Sequence, residues 1–516
     1  MSTDGETALH RLTTPCLLLF AALSFVLSLQ VAVAMPPLAQ KDERAHAAYA
    51  IAVAHGQLPT IDTRIADDPH RYPALAEIQI GEDRAHRDIW TANHPPLYYL
   101  LSVPLVWLGD AVGHPGVTLV GMRGLNGLGV ALSVLLVGLI ARELVPRRPM
   151  VAILAAAFAA ACPAVTYVGG AIYNDGAATA AAALTLLLAL RIIRRGVSGQ
   201  RVGTLAAAAT AAAALRSSGL VAVLVACLAV LAAVLLRDRS RPALWRGVRL
   251  AGGVGGTATA AIGWFYLRNI KLYGDATASA ALFAKFGRES DGSTLGQLSR
   301  GDFYRRLVGS LWTDGDIGNH WALLGAGLMI AAALGLILQI RRRVVAGAWP
   351  GSSAGADERR TSRLCWSLLV LYSAIEIASV ASFIAGGGWF HARYALPLLP
   401  LLATLVAVGL LEVGRLVPRV WAAPDGGARD LVIARPLAMG FVAVMIAAHL
   451  DTERYVDGVA HHAARAGLLV AGDLAAVVMA GLVVAELRHR LREESAARMA
   501  TARSNASRTG SGRGTM

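Results

Sequence analysis

The chain has 516 residues, of which 55% are hydrophobic and only 16% are charged. Several apolar segments are long enough to cross a bilayer, which excludes an ordinary soluble domain and predicts an all-α polytopic membrane protein. The formal net charge of +14 does not indicate nucleic-acid binding, because the basic residues form short clusters between apolar segments. The four cysteines lie in or beside these segments without metal-ligand spacing, which favours small buried side chains.

The apolar segments, taken in chain order, predict about 12 transmembrane helices. They lie near residues 15–36, 121–142, 150–168, 172–192, 203–216, 218–236, 248–267, 321–340, 363–385, 394–414, 432–450 and 466–487. A further candidate, 95–108, has the length of a re-entrant or interfacial helix, about 14 residues, and is not counted as a span.

The distribution of basic residues predicts the orientation. If 95–108 does not span, most arginine clusters and the C-terminal tail fall on one side of the membrane, which the positive-inside rule assigns to the cytoplasm. We therefore expect cytoplasmic termini and outer loops at 37–120 and 270–320. The excess of arginine and alanine over lysine is typical of a GC-rich bacterial genome, so the expected membrane is the bacterial cytoplasmic (inner) membrane.

An acidic pair, Asp42 and Glu43, follows the first apolar segment. If residues 42–55 form a helix along the membrane surface, Asp42, His46 and Tyr49 share one face and Glu43 points elsewhere. A carboxylate in this position can take a proton from an acceptor hydroxyl, with His46 steering its orientation or protonation. Alternatively, Asp42 only caps the helix.

Other unusual residues also fall on the predicted outer face. Arg268 and Arg393 stand beside aromatic residues, where a guanidinium can bind a lipid phosphate by forked hydrogen bonds or can simply extend from an aromatic belt to the interface. Glu376 lies inside a predicted span, which makes it a functional candidate without a named partner. The candidate pocket residues are His94, Tyr98, Asn174, Asp175, Trp264, Asn269, His391 and Tyr394.

The order of these landmarks resembles the GT-C superfamily of polyprenyl-phosphate-sugar glycosyltransferases, which includes protein O-mannosyltransferases and lipid A aminoarabinose transferases. The likeness depends on the acidic pair, on His94-Pro95-Pro96-Leu97-Tyr98-Tyr99, on Asn174-Asp175, on Trp264 with Arg268-Asn269 and Tyr273-Gly274-Asp275, and on Arg393-Tyr394-Ala395-Leu396-Pro397. It covers residues 1–415.

The resemblance implies a catalytic carboxylate at Asp42 with Glu43 as its neighbour, and Arg268, Lys271 and Arg393 as the residues that bind the donor phosphate. It implies a polyprenyl-phosphate sugar donor and a lipid, glycan or protein acceptor. No metal ligands are assigned, and a divalent metal stays possible.

The predicted organisation is a GT-C-like catalytic module at 1–415, two additional transmembrane helices at 416–487 and a basic, disordered cytoplasmic tail at 488–516. The expected activity is inverting sugar transfer at the outer face, with Asp42 as general base. The alternatives are a 12-span transporter or lipid flippase, which would place its substrate site near the middle of the membrane, and a non-catalytic scaffold, which would tolerate loss of Asp42.

Overall fold

The computed structural model describes residues 3–65, 87–313, 320–345, 355–417 and 426–459, and beyond these only the single positions 478, 481 and 485. The predicted span at 466–487 and the predicted tail at 488–516 lie outside the described residues, apart from those three positions. Parts of both predicted outer loops, 66–86 and 314–319, lie outside them as well.

The regular secondary structure of the described part consists of α-helices and 3-10 helices, and its only strand-like contact is one β-bridge between Arg64 and Asp88. The all-α prediction is therefore confirmed for these ranges. The α-helices are α1 (Thr3–Ala34), α2 (Glu43–Ala54), α3 (Leu97–Val112), α4 (Pro115–Leu144), α5 (Pro149–Ala161), α6 (Pro163–Gly169), α7 (Asp175–Arg195), α8 (Gly199–Leu215), α9 (Gly219–Arg237), α10 (Arg241–Tyr273), α11 (Ser279–Lys285), α12 (Thr294–Leu298), α13 (Gly301–Gly309), α14 (His320–Val345), α15 (Ala356–Ala385), α16 (Leu399–Gly414) and α17 (Gly426–Val459).

Eight helices in the described ranges are long and apolar enough to cross a membrane, and the bent pair α5–α6 makes a possible ninth. The two halves of that pair meet at an angle of 62°. Pro163 begins the second half, and a proline cannot donate the backbone hydrogen bond that would continue the first. Neither α8 nor α10 is among these candidates, so the count of 12 spans stays a prediction.

The core lies around α5, in which every residue is buried. Its many alanines let α1, α4, α16 and α17 approach closely. Gly129 of α4 shows how tight this packing is, because a Cβ there would lie 2.4 Å from the backbone of Gly176 in α7. The described C-terminal helix, α17, packs against the same core.

The two ends of the helical bundle differ in their charged contacts. At one end, α4 passes into α5, and Arg148 binds Glu412 and Asp430 while Arg191 and Arg195 bind Glu143. We call this the basic end. The opposite end, where α1 ends and α7 begins, carries α2, α3, the 3-10 helix Trp90–Asn93 and the 3-10 helix Ala392–Leu398. We call this the site end, because the candidate site lies there.

Candidate active site

Asp42 immediately precedes α2, in the left-handed region at φ 67° and ψ −12°. It occupies the N-cap position, but its side chain makes no capping hydrogen bond. Instead, Oδ1 accepts a hydrogen bond from Nε1 of Trp90 at 3.2 Å, and Oδ2 accepts one from Nη2 of Arg393 at 2.5 Å. With 25% of its side chain exposed, this carboxylate can be reached from outside the protein.

Arg393 belongs to the 3-10 helix Ala392–Leu398, which leads into α16, and only 8% of the residue is exposed. Its guanidinium lies over the ring of Tyr173 at 4.6 Å and near the ring of Tyr394 at 5.5 Å. Its Nε atom lies 4.0 Å from Oδ2 of Asp175, which is too long for a hydrogen bond. Both of these buried atoms lack a hydrogen-bond partner.

A second arginine, Arg216, binds the carboxylate of Asp175. Nη1 of Arg216, in the turn between α8 and α9, lies 2.8 Å from Oδ1 of Asp175 and donates to Oδ1 of Asn174 at 3.0 Å. Asn174 also binds the carbonyl of Leu215 at 2.8 Å, which holds the turn against the start of α7. Asp175 and Arg216 thus join Asp42 and Arg393 in one partly buried group of charges, which we call the Asp42 cluster.

The charges of the Asp42 cluster determine the protonation of its neighbours. Burial alone would raise the pKa of Asp42, but the Arg393 guanidinium outweighs burial and holds that pKa well below its usual range. Burial, assisted by Arg393, lowers the pKa of His46 to about 3 and that of His391 to about 3. Asp42 is therefore ionised and both histidines are neutral at neutral pH.

An aromatic layer supports the cluster on the α2 side. His46 Nδ1 is 2.9 Å from the hydroxyl of Tyr99, and the ring of His46 is parallel to that of His94 at 5.8 Å. Tyr49, one helical turn further along, stacks on Tyr99 at 3.6 Å and donates to the carbonyl of His94 at 3.1 Å. The predicted face of Asp42, His46 and Tyr49 is therefore present, and α3 packs against it.

Glu43 points away from Asp42 and is completely buried. Its carboxylate binds Arg123 of α4 through Nε at 2.9 Å and Nη2 at 2.8 Å, and it accepts the backbone N–H of Ile172 at 2.8 Å. The remaining Arg123 donors bind the carbonyls of Ala32, Met35 and Pro36. Glu43 and Arg123 thus join the end of α1, the start of α2 and α4. These contacts position Asp42. They do not support a catalytic role for Glu43.

Several other predicted site residues lie outside the Asp42 cluster. Arg268 donates to the carbonyls of Leu58 and Pro59, at 3.4 and 2.8 Å, and so binds the segment that follows α2. Lys271 is exposed, and Trp264 is 48% exposed with its indole nitrogen bonded within its own helix.

Two more predicted pocket residues make internal contacts. Asn269 is buried and donates to the carbonyls of Asn93 and Ala276. Tyr98 is buried and donates to the carbonyl of Met122, so it joins α3 to α4. His391 and Tyr394, in contrast, pack edge to face beside Arg393 at a centroid distance of 5.5 Å.

Sequence reasoning missed Arg123, Trp90 and Tyr173 and left Arg216 outside the predicted site. Arg123 had a usable signal, because a lone charge near the start of an apolar span needs a partner. Trp90 and Tyr173 had none, since nothing in their local sequence places them beside Asp42 or Arg393. Among the described residues, no three or more histidine, cysteine, aspartate or glutamate side chains form a group that could hold a metal ion.

No protein-family model matches the chain, and no curated protein matches it. Solved structures similar to it include ArnT from Cupriavidus metallidurans bound to undecaprenyl phosphate, at 16% identity over 93% of this chain and 78% of ArnT, with a TM-score of 0.42. They also include the oligosaccharyltransferase of Archaeoglobus fulgidus tethered with an acceptor peptide, at 13% identity over 84% of this chain and 55% of that protein, with a TM-score of 0.46.

With TM-scores below 0.5, these similarities carry no argument about the activity of this chain. The contacts of its own residues have to supply that argument.

Proposed function

We propose that this protein is a membrane glycosyltransferase that moves a sugar from a polyprenyl-phosphate-linked donor to an acceptor hydroxyl. The observation that carries the proposal is the contact between the accessible carboxylate of Asp42 and the buried guanidinium of Arg393. One group is suited to removing a proton and the other to holding a phosphate, and the two are adjacent.

In the proposed reaction, the acceptor oxygen attacks the anomeric carbon of the donor. Asp42 takes the hydroxyl proton as the new bond forms, and the bond between the anomeric carbon and the phosphate oxygen breaks with its electron pair going to the phosphate. The configuration at the anomeric carbon is inverted. A phosphate leaving group needs stabilisation of its charge more than it needs a proton, and Arg393 supplies a cation where that charge develops.

The site end of the bundle is the proposed extracytoplasmic end. Arg142, Arg147, Arg148, Arg191 and Arg195 lie at the basic end, which the positive-inside rule assigns to the cytoplasm. Sugar transfer at the site end then takes place outside the cytoplasm of a bacterial inner membrane. The acceptor, whether lipid, glycan or protein, would approach from that side.

The described contacts favour transfer over transport. A transporter of this size would hold its substrate near the middle of the membrane, often where helices are broken. Among the described residues the one bent pair, α5–α6, is closely packed and almost wholly buried, and the Asp42 cluster lies at the site end. Glu376 is buried in α15 beside Tyr372 and within electrostatic range of Arg216, so it borders the cluster.

The test is cleavage of a donor by the purified full chain in lipid nanodiscs. The donors would be radiolabelled monosaccharides, each linked to undecaprenyl phosphate. This is the lipid with which ArnT was solved. We expect release of undecaprenyl phosphate from at least one of them in the presence of a membrane extract as acceptor source. Asp42→Asn should lower that turnover about 100- to 10,000-fold, the usual worth of a general base.

Failure of every donor to react, with the protein folded, would contradict the proposed transfer. Movement of the intact donor across a bilayer without cleavage would instead support the transporter.

A further inference from the structure

The contact between Asp42 and Arg393 presents a chemical difficulty for the proposed function. A carboxylate held by a guanidinium has a depressed pKa and is a weak base. The same arginine is also the best placed group for the donor phosphate. In the observed arrangement, Arg393 therefore weakens the base that the reaction needs, and its Nη2 binds Asp42 instead of a phosphate.

The surroundings of Arg393 contain an alternative partner. Oδ2 of Asp175 is 4.0 Å from Nε of Arg393, and both atoms are buried without a hydrogen bond. A buried polar atom without a partner is unfavourable, so a shift of about 1 Å that closes this gap would satisfy both atoms at once.

The ring of Tyr173 lies against the guanidinium of Arg393. Its centroid is 4.6 Å from the guanidinium, and its hydroxyl is fixed by the carbonyl of Lys41 at 2.6 Å. A guanidinium can slide over an aromatic face while keeping most of the stacking interaction. Arg216 holds the other oxygen of Asp175, so Oδ2 stays directed at Arg393.

We propose that Arg393 exchanges its carboxylate partner from Asp42 to Asp175 when a phosphate group enters the site, and that the exchange releases Asp42 for proton transfer. The proposal rests on the proposed function, and it makes base strength depend on the presence of the donor. Without donor, Asp42 is paired and inactive. With donor, the phosphate competes for Arg393, and Asp42 loses the cation that weakens it.

The charge balance of the cluster supports this coupling. In the observed state, the carboxylates of Asp42 and Asp175 are balanced by the guanidiniums of Arg393 and Arg216. An entering phosphate adds negative charge beside Asp42, and both that charge and the loss of Arg393 favour proton uptake by Asp42. The neighbouring titratable or charged groups are His46 on α2, His94 before α3, Lys41 and Glu43 beside Asp42, Tyr173 before α7, and His391 and Tyr394 beside Arg393.

The exchange can be measured through the reactivity of Asp42. Dicyclohexylcarbodiimide is an apolar reagent that modifies protonated carboxyl groups, and peptide mass spectrometry reports the labelled residue. The full chain in nanodiscs would be labelled at pH 6 with undecaprenyl phosphate, with undecaprenol as the matched lipid lacking a phosphate, or with inorganic phosphate. Binding of each probe would be measured separately by its effect on thermal unfolding.

Undecaprenyl phosphate is expected to increase the labelling of Asp42 at least about tenfold over undecaprenol, since each unit by which the pKa rises gives a tenfold larger protonated fraction. The increase should be absent in Asp175→Asn, which removes the second carboxylate. If inorganic phosphate gives the same increase, the phosphate group alone triggers the exchange. If only undecaprenyl phosphate gives it, the lipid tail must be bound as well. Both outcomes support the exchange.

Three results would overturn the exchange: bound undecaprenyl phosphate that leaves labelling unchanged, a phosphate lipid that does not bind, or an increase that persists in Asp175→Asn. The last would mean that charge repulsion acts without Asp175. If Asp175→Asn does not fold, Asp175→Ser takes its place as the variant without the second carboxylate, and the comparison with undecaprenol is repeated on it. The donor-cleavage assay fails or succeeds independently, so a wrong proposed function is distinguishable from a wrong exchange.

Discussion

Asp42 and Glu43 are adjacent in the chain, and each binds an arginine, yet their surroundings are opposite. Glu43 is completely buried, and Arg123 uses all of its donors on Glu43 and on nearby backbone carbonyls. Asp42 is partly exposed, and Arg393 keeps a buried donor without a partner. A completely satisfied ion pair is suited to holding a structure together, whereas an incompletely satisfied one can exchange partners and accept a ligand.

The largest effect on stability should come from Glu43→Gln. This change leaves the charge of Arg123 buried without a counterion, which is expected to cost about 3–5 kcal/mol in the free energy of unfolding. The measurement is thermal unfolding in detergent, followed by tryptophan fluorescence. Glu358→Gln is the matched control, because its pair with Arg147 is exposed and should contribute about 1 kcal/mol or less. Equal shifts in the two variants would show that the Glu43 pair has no special structural role.

The next effect concerns the phosphate site. Arg393→Lys keeps the positive charge but loses the forked donors, and the loss of one charge-assisted hydrogen bond, about 1.5–3 kcal/mol, should weaken donor use roughly 10- to 100-fold. The readout is the KM for the lipid-linked donor. Arg268→Lys is the control and should change this KM much less, because Arg268 binds loop carbonyls. A larger change at Arg268 would place the donor phosphate beside α10 instead.

A smaller effect is expected at His46. Its pKa lies at about 3, so the ring is deprotonated above that pH and does not change charge between pH 5 and 8. His46→Gln should therefore lower kcat about fivefold, for one weakened hydrogen bond to Tyr99, while the shape of the pH–rate profile over that range stays the same. A limb of the profile that disappears in His46→Gln would identify His46 as the titrating group.

The smallest effect should be at Trp264, which is half exposed and outside the Asp42 cluster. Trp264→Ala is expected to change donor KM and turnover by about twofold or less, as is usual for exposed positions. The same kinetic assay measures both constants. A tenfold loss of turnover would mean that the substrate extends along the face of α10 on which Trp264 is exposed.

Local spacing was sufficient to predict the face of α2, since positions separated by four and then three residues align on any helix. It also predicted that Glu43 turns away from Asp42. It could not supply the partners, because Arg393 follows Asp42 by 351 residues and Arg123 follows Glu43 by 80. Pairs this distant in sequence depend on how whole helices pack.

Arg268 and Arg393 also differ in contacts that depend on how whole helices pack. Both are arginines beside aromatic residues at the predicted outer face, so nothing in their local sequence distinguishes their roles. The difference arises in packing, because the end of α10 meets the loop at Leu58 and Pro59, whereas the 3-10 helix Ala392–Leu398 meets Asp42. The apolar segments were easier to predict, since their length and composition are local properties.

The most direct test of the account compares Asp42→Asn with Glu43→Gln in one preparation, with donor cleavage and thermal unfolding measured on both. We predict that Asp42→Asn loses about 100- to 10,000-fold in turnover. Its unfolding temperature should fall less than that of Glu43→Gln, because Asp42 is partly exposed and Asp175 remains near Arg393 as a second counterion. Glu43→Gln should instead lose much of its stability and keep measurable turnover in the fraction that stays folded. Near-normal turnover in Asp42→Asn would contradict the assignment of Asp42 as the base.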